Sequence, residues 1–205
     1  DACTYGYNIP ANMYAAVVLD YMVEIADKVW QDEVFRAGAA ALGRDIRAGI
    51  EKYGTVEDAE FGKMCVYEAD GFGHQLLMDD AGVPGLLSAP YYGYCDKNDP
   101  IYRSTRRFAL SPRNPFFFAG KALSGLGSPH TKPDFVWPMG IIMQGFTVQP
   151  EESLRTLIEM IAHADDGTGY VHESVHKDDS SRYTRPWFAW VNSLYSELLI
   201  KTFAK

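Results

Sequence analysis

The sequence predicts an all-α fold of helical hairpins, about half of an (α/α)6 toroid. Three observations carry that reading. Apolar residues recur at helical spacing in about six separate stretches. Short links between those stretches alternate with loops much longer than the usual connection. No linker, low-complexity tract or fixed-period repeat divides the 205 residues, so a single domain over 1–205 is expected. Helical hairpins with long loops at one end build an α/α toroid, and six helices make half of a twelve-helix ring.

The first helix is expected over "NIPANMYAAVVLDYMVEIADKVW" (8–30), where Pro10 suits an early helical position and Val17, Leu19, Tyr21, Met22 and Ile25 give the apolar recurrence. The second covers "EVFRAGAAALGRDIRAGIEKY" and ends at Gly54. "MCVYEADGFG" (64–73) is short, β-rich and bounded by turns, which reads as a strand or hairpin. "MDDAGVPGLLSAPYYGY" (78–94) reads as a broken helix. "DPIYRSTRRFALS" is a helix with Asp99 as its N-cap and Pro100 in first position. The Gly- and Pro-rich run 112–133 is a long ordered loop or hairpin. Residues 134–148 and 150–166 form a helix pair. Residues 167–186 form a second long polar loop, and 187–205 close the chain as an amphipathic helix with Trp190 and the apolar residues after it in the core.

The totals exclude several classes. A net charge of -8 argues against a nucleic-acid partner or an anionic membrane surface. No uninterrupted apolar run of about 18 residues is present, so no membrane span is expected. Cys3, Cys65 and Cys95 are far apart and odd in number, which indicates neither a disulfide framework nor a thiolate metal site and favours a reducing, cytoplasmic setting. The sequence opens at Asp1 without Met and without a signal peptide, the look of a processed or truncated start. Aromatic residues make up 14% of the chain, enough both for an aromatic core and for stacking flat ligands such as sugar rings.

"HESVH" (172–176) matches the H-E-x-x-H pattern of zinc peptidases. That chemistry needs a helix, because only there do His172 and His176 share a face about the metal. The flanks argue against one: glycines precede the motif, a turn-rich run to Pro186 follows it, and Val175 is β-branched. The extended pattern fails at Asp179 and Arg182, and Glu197 is a weak third ligand. No metal and no cofactor are therefore expected, and a zinc peptidase is the least favoured of three readings.

Longer segments resemble a known family. "DACTYGYNIPANMYAAVVL", "MDDAGVPGLLSAPYYGY", "DPIYRSTRRFALS", "NPFFFAGKALSGLGSPHT", "VWPMGIIMQGFT" and "DDGTGYVHESVHKDD" with "RPWFAWVNSLYSELLI" resemble glycoside hydrolase family 125 in the same order, across most of the chain. The resemblance implies an inverting exo-α-1,6-mannosidase on an (α/α)6 barrel, acting on mannose-containing oligosaccharides. It also implies that this chain corresponds to the C-terminal half of a family member, so pairing with a missing N-terminal half or with a second copy is expected. Departures are Val175, where the family usually carries Phe, and Gly82 and Gly85, where it carries Asn and Ser.

Inverting hydrolysis needs one protonated carboxyl group for the leaving oxygen and one carboxylate for the water, ~6.5–9.5 Å apart. By the resemblance Glu173 is the base. The acid lies at Asp1 or at the residue before it; a free α-amino group at Asp1 would oppose that work by lowering its pKa. Asp79 and Asp80 either grip sugar hydroxyls or cap the following segment. His130 and Trp137 are candidates for hydroxyl contact and ring packing. Of Arg106 and Arg107, one reaches the sugar and the other makes a structural ion pair, with Arg107 the chosen candidate. Arg185 and Trp187 follow the catalytic loop, Asn12 contacts sugar or caps its helix, and His172 contacts sugar or orients the loop. The third reading is an incomplete, non-catalytic sugar-binding fragment.

Overall fold

The computed structural model of the chain describes residues 3–204. Among them are six α-helices and several short antiparallel strand pairs. Helix α1 (Ile9–Ile25) starts at Asn8, whose side-chain oxygen accepts the Ala11 amide at 3.0 Å, with Pro10 in the first turn. It runs on as a wider π turn (Ala26–Trp30) that stops at Gln31 in the left-handed region, φ 53. Asp32 then caps α2 (Glu33–Tyr53), and Gly54 closes it. The two helices pack side by side as a hairpin.

The buried face of α1 is Ile9, Met13, Ala16 and Val17, while Tyr21 and Ile25, expected in the apolar stripe, are exposed. The correction has a simple cause: only the first half of the helix meets the core, where it joins Ile50, Val66, Leu86, Tyr92 and Tyr102. One helix bears on the expectation of no membrane span. Ile9–Trp30, 22 residues at hydropathy 1.2, is long and apolar enough by composition to cross a membrane, although charged residues interrupt it. One such helix is weak grounds for a span, since core helices meet the same test.

Helix α3 (Pro100–Ala109) is capped by Asp99, which accepts from the Ile101 and Tyr102 amides. Its Arg106 pairs with Glu152 at 2.7 Å, largely out of solvent, and ties α3 to the connection between α4 (Pro138–Phe146) and α5 (Leu154–Ala162). With α6 (Ala189–Phe203), these last two helices hold the larger core around Met139, Ile141, Ile142, Leu157, Ile161, Val191 and Leu198.

Two stretches differ from expectation. Residues 81–95 form successive turns, not a broken helix. The Asp79 carboxylate takes the Leu86 and Leu87 amides, and Pro84, Pro90 and Gly93 (φ 86) interrupt helical bonding. The polar stretch after Gly169 is a β-hairpin, Ser174–His176 against Asp179–Thr184, extended by Phe135–Val136 into a three-stranded sheet. Its inward side chain, Val175, is fully buried opposite Val136, and this insertion into the main core makes the strand. The run 112–133 contains the expected hairpin, Phe117–Ala119 with Ser124–Leu126.

Candidate active site

Glu173 stands at the start of that hairpin, mostly buried. Its amide donates to the Arg185 carbonyl across the two strands, which extends the ladder by one rung. Its carboxylate is held at both oxygens. Oε1 lies 3.2 Å from Nε of Arg185, and Oε2 accepts the Thr184 hydroxyl at 3.0 Å. Arg185, a non-glycine residue at φ 40, ends the strand, and its guanidinium lies 5.4 Å from the Phe188 ring centre.

This carboxylate opens on a cavity of about 540 Å3, lined also by Tyr67, Asp80, Ser128, His130, Trp137, Phe188 and Trp190. A neighbouring hollow of about 490 Å3 shares Glu173 and His130 and reaches Tyr183 and Thr184. Glu173 therefore borders both. Other hollows offer less chemistry: one of about 330 Å3 lies among Met13, Cys65 and Tyr102, and its Asp99 already serves as a helix cap.

The adjacent acids separate. Asp80 faces the cavity, accepts the Gly82 amide at 2.7 Å and lies 3.4 Å from the Ser128 hydroxyl. Burial pushes its carboxyl above the usual range, and the Gly82 amide, His130 and Ser128 pull it back. Residue 82 suits glycine, since a Cβ there would come 2.8 Å from the Asp80 oxygen. Asp79 points into the protein, fully buried, with its oxygens 2.9 and 2.8 Å from the Leu86 and Leu87 amides. Burial, then the Asp80 charge, push it up to about 8. Of its two expected roles it takes the cap of the following segment, and it is not among the residues that line the cavity.

His130 and Trp137 both line the cavity, their ring centres 6.4 Å apart, and Trp137 Nε1 donates to Thr131 at 2.9 Å. His172 does not reach it. It is buried behind the hairpin, stacked on Tyr183 at 3.7 Å, with Nδ1 2.6 Å from the Pro186 carbonyl and Nε2 3.2 Å from that of Asp165. That arrangement orients the segment carrying Glu173. It also leaves neither imidazole nitrogen turned toward His176, which sits on a strand against Phe135. Among the described residues no group of three or more His, Cys, Asp or Glu could hold a metal ion. Glu197 is bonded to Tyr91 and Lys201.

Three further candidates lie elsewhere. Arg107 donates to the Phe61 carbonyl at 2.7 Å and borders a separate hollow, because successive positions of α3 face different sides; Arg106 takes the ion pair. Asn12 donates to the Asn8 carbonyl and lines another cleft with Tyr7, Tyr53 and Phe72; the cap is Asn8. Trp187 is 59% exposed and outside the cavity lining, whereas Phe188 and Trp190 line it. Arg185 is in the left-handed region, and Trp190, expected in the core, is half-exposed at the start of α6. Asp1 lies outside the described residues.

Sequence reasoning missed Tyr67, Ser128, Thr184, Phe188 and Trp190 as lining or supporting residues. A correctly placed hairpin would have found Thr184, because it pairs directly with Ser174.

Two carboxylates, one gripped by an arginine and a hydroxyl, thus share one cavity with the rings of Tyr67, Trp137, Phe188 and Trp190. The comparisons give the chain a family. The profile described as "Metal-independent alpha-mannosidase (GH125)" matches residues 1–200, and the chain belongs to that family. A solved metal-independent alpha mannosidase from Streptococcus pneumoniae, in a non-productive complex with alpha-1,6-mannobiose, is similar with a TM-score of 0.93 at 40% identity. The match covers 98% of this chain and 48% of that one. The meiotically up-regulated gene 157 protein of Schizosaccharomyces pombe is 40% identical over 201 residues, covering 98% of this chain and 39% of that protein. The chain thus spans less than half the length of these relatives.

Proposed function

We propose that this chain carries the base side of the active cleft of an inverting exo-α-1,6-mannosidase, as about half of an (α/α)6 toroid. The observation that carries the reading is the Glu173 carboxylate, fixed at both oxygens on the border of the cavity. In this reading Glu173 takes a proton from a water, and the water attacks the anomeric carbon from the face opposite the leaving oxygen. Arg185 and Thr184 hold that carboxylate in place, one at each oxygen. Asp80 and His130 bond the hydroxyls of the terminal mannose, and Trp137, Phe188 and Trp190 pack against its apolar face. The acid that protonates the leaving oxygen is Asp1 or the residue preceding it. Support for the substrate comes from the alpha-1,6-mannobiose bound by the Streptococcus pneumoniae relative.

The test is mannose release from α-1,6-mannobiose by the 205-residue chain, followed by proton NMR. The expected first product is β-mannose, and Glu173→Gln lowers the rate by a factor of at least about 10³. Full activity in Glu173→Gln removes Glu173 as the base. The short share of each relative's length favours one second reading, a fragment that binds sugar without turnover. Calorimetric binding of mannobiose together with undetectable hydrolysis would select it.

A further inference from the structure

We infer that Thr184 and Ser174 are positioning residues that form a two-hydroxyl relay and fix the orientation of the Glu173 carboxylate. The inference deepens the proposed function and rests on it for its kinetic consequence. Ser174 Oγ lies 2.6 Å from Thr184 Oγ1, and Thr184 Oγ1 lies 3.0 Å from Glu173 Oε2. A hydroxyl has one proton to give, and an ionised carboxylate only accepts. The direction of the chain is therefore determined: Thr184 donates to Glu173, so Ser174 donates to Thr184. Ser174 is fully buried, so water does not compete for its proton. A donor behind the donor polarises the Thr184 hydroxyl and strengthens its bond to the carboxylate.

The hairpin explains why these two residues meet. Thr184 and Ser174 are paired directly across the strands, one rung from Glu173 and Arg185. Three residues of register irregularity, between Asp179 and Tyr183, bring the second strand into this alignment. The sheet thus presents a hydroxyl to one carboxylate oxygen and a guanidinium to the other. Arg185 supplies charge from the exposed side. The relay holds the other oxygen, so the two contacts together fix the plane of the carboxylate. His172, next to Glu173, stacks on Tyr183, next to Thr184, and so adds a ring contact between the two strands.

The experiment uses Thr184→Val, which keeps the side-chain shape and removes the hydroxyl, Thr184→Ser, which keeps the hydroxyl, and Ser174→Ala. In mannobiose hydrolysis Thr184→Val is expected to lower kcat by about 10-fold with KM within about twofold, the pattern of an interaction that matters to the chemical step. Thr184→Ser restores kcat, and Ser174→Ala gives a smaller change in the same direction. In crystal structures the Glu173 carboxylate rotates in Thr184→Val and stays in place in Thr184→Ser. An unrotated carboxylate in Thr184→Val, or equal losses in Val and Ser variants, overturns the relay. Full turnover in Glu173→Gln overturns the base reading instead, and the carboxylate orientation in Thr184→Val still decides the relay.

Discussion

The α1–α2 hairpin and helix α4 use their residues in opposite ways. Helix α2 has 21 residues and buries Ala39, Gly43 and Ile50; α4 has nine and buries seven. The longest helices are therefore the least enclosed. Val29, Trp30, Val34 and Leu42 of the hairpin region are all more than half exposed. The cleft sits beside the enclosed region. Trp137 precedes α4 directly, and Glu173 precedes a strand whose Val175 lies in the same core. Side chains that must hold a geometry are placed on elements that packing has already immobilised. Helix length carries no such guarantee.

The sharpest way to break this comparison is to truncate one side chain in each region. Ile142 is fully buried in α4, and Ile142→Ala is expected to cost about 2–5 kcal/mol from lost transfer energy and the cavity left behind. Leu42 is 52% exposed in α2, and Leu42→Ala should cost below about 1 kcal/mol. Urea unfolding of both variants measures the difference. Equal losses would mean that the hairpin face is enclosed in solution.

A smaller effect comes from Asp79, and it depends on pH. Its two amide partners favour the ionised form, but burial and the Asp80 charge outweigh them and raise it from the ordinary 3.8 to about 8. Between those values the folded chain holds a proton that the unfolded chain has lost. Its contribution is complete below the unfolded value and is lost as pH rises through the folded one. Wild-type stability should thus decline from about pH 4 to about pH 8 at this site. Asp79→Asn removes that slope, and costs about 1–3 kcal/mol at the acid end because its NH2 replaces one of the two oxygens that separately accept the Leu86 and Leu87 amides. Parallel stability curves for the two proteins would refute the assignment.

Glycines sharpen the contrast further, with opposite signs. At Gly127, beside the cleft, a Cβ would come 2.5 Å from the Phe135 carbonyl and from the Phe118 ring, so Gly127→Ala should lose about 1–3 kcal/mol. At Gly38, inside α2, a Cβ meets nothing within 4 Å, so Gly38→Ala should gain about 0.5–1 kcal/mol from helix propensity. Thermal melting reads both. A stabilising Gly127→Ala would mean the cleft wall is loose.

What could be read in advance follows the same division. Helix α2, with its end at Gly54, and α3, with Asp99 and Pro100 at its start, were legible because caps and periodicity are local. The hairpin carrying Glu173 was not. Its strands have three and six residues, mostly polar, and only the burial of Val175 against a distant strand makes them strands. The separation of Asp79 from Asp80 was equally hidden, since which of two neighbours faces a cavity depends on where Leu86 and Leu87 return. That Phe188 and Trp190 line the cavity and Trp187 does not was hidden too, since three aromatics within four residues give no local signal of which one faces inward.

The smallest expected effect tests the exposed side most directly. Val34 is 86% exposed at the start of α2, one residue after Glu33, which pairs with Arg36 along the surface. Val34→Ser removes apolar surface that the fold does not bury, so no transfer energy is lost. Ser and Val also have similar helix propensities. Stability should change by no more than about 0.5 kcal/mol, and for a chain of this size the melting temperature should move by about 1–2 °C. A loss of several degrees would require Val34 to be covered in solution. The same scan repeated over a hundredfold dilution then distinguishes the causes: cover by a second copy makes the loss concentration-dependent, whereas a rearranged hairpin does not.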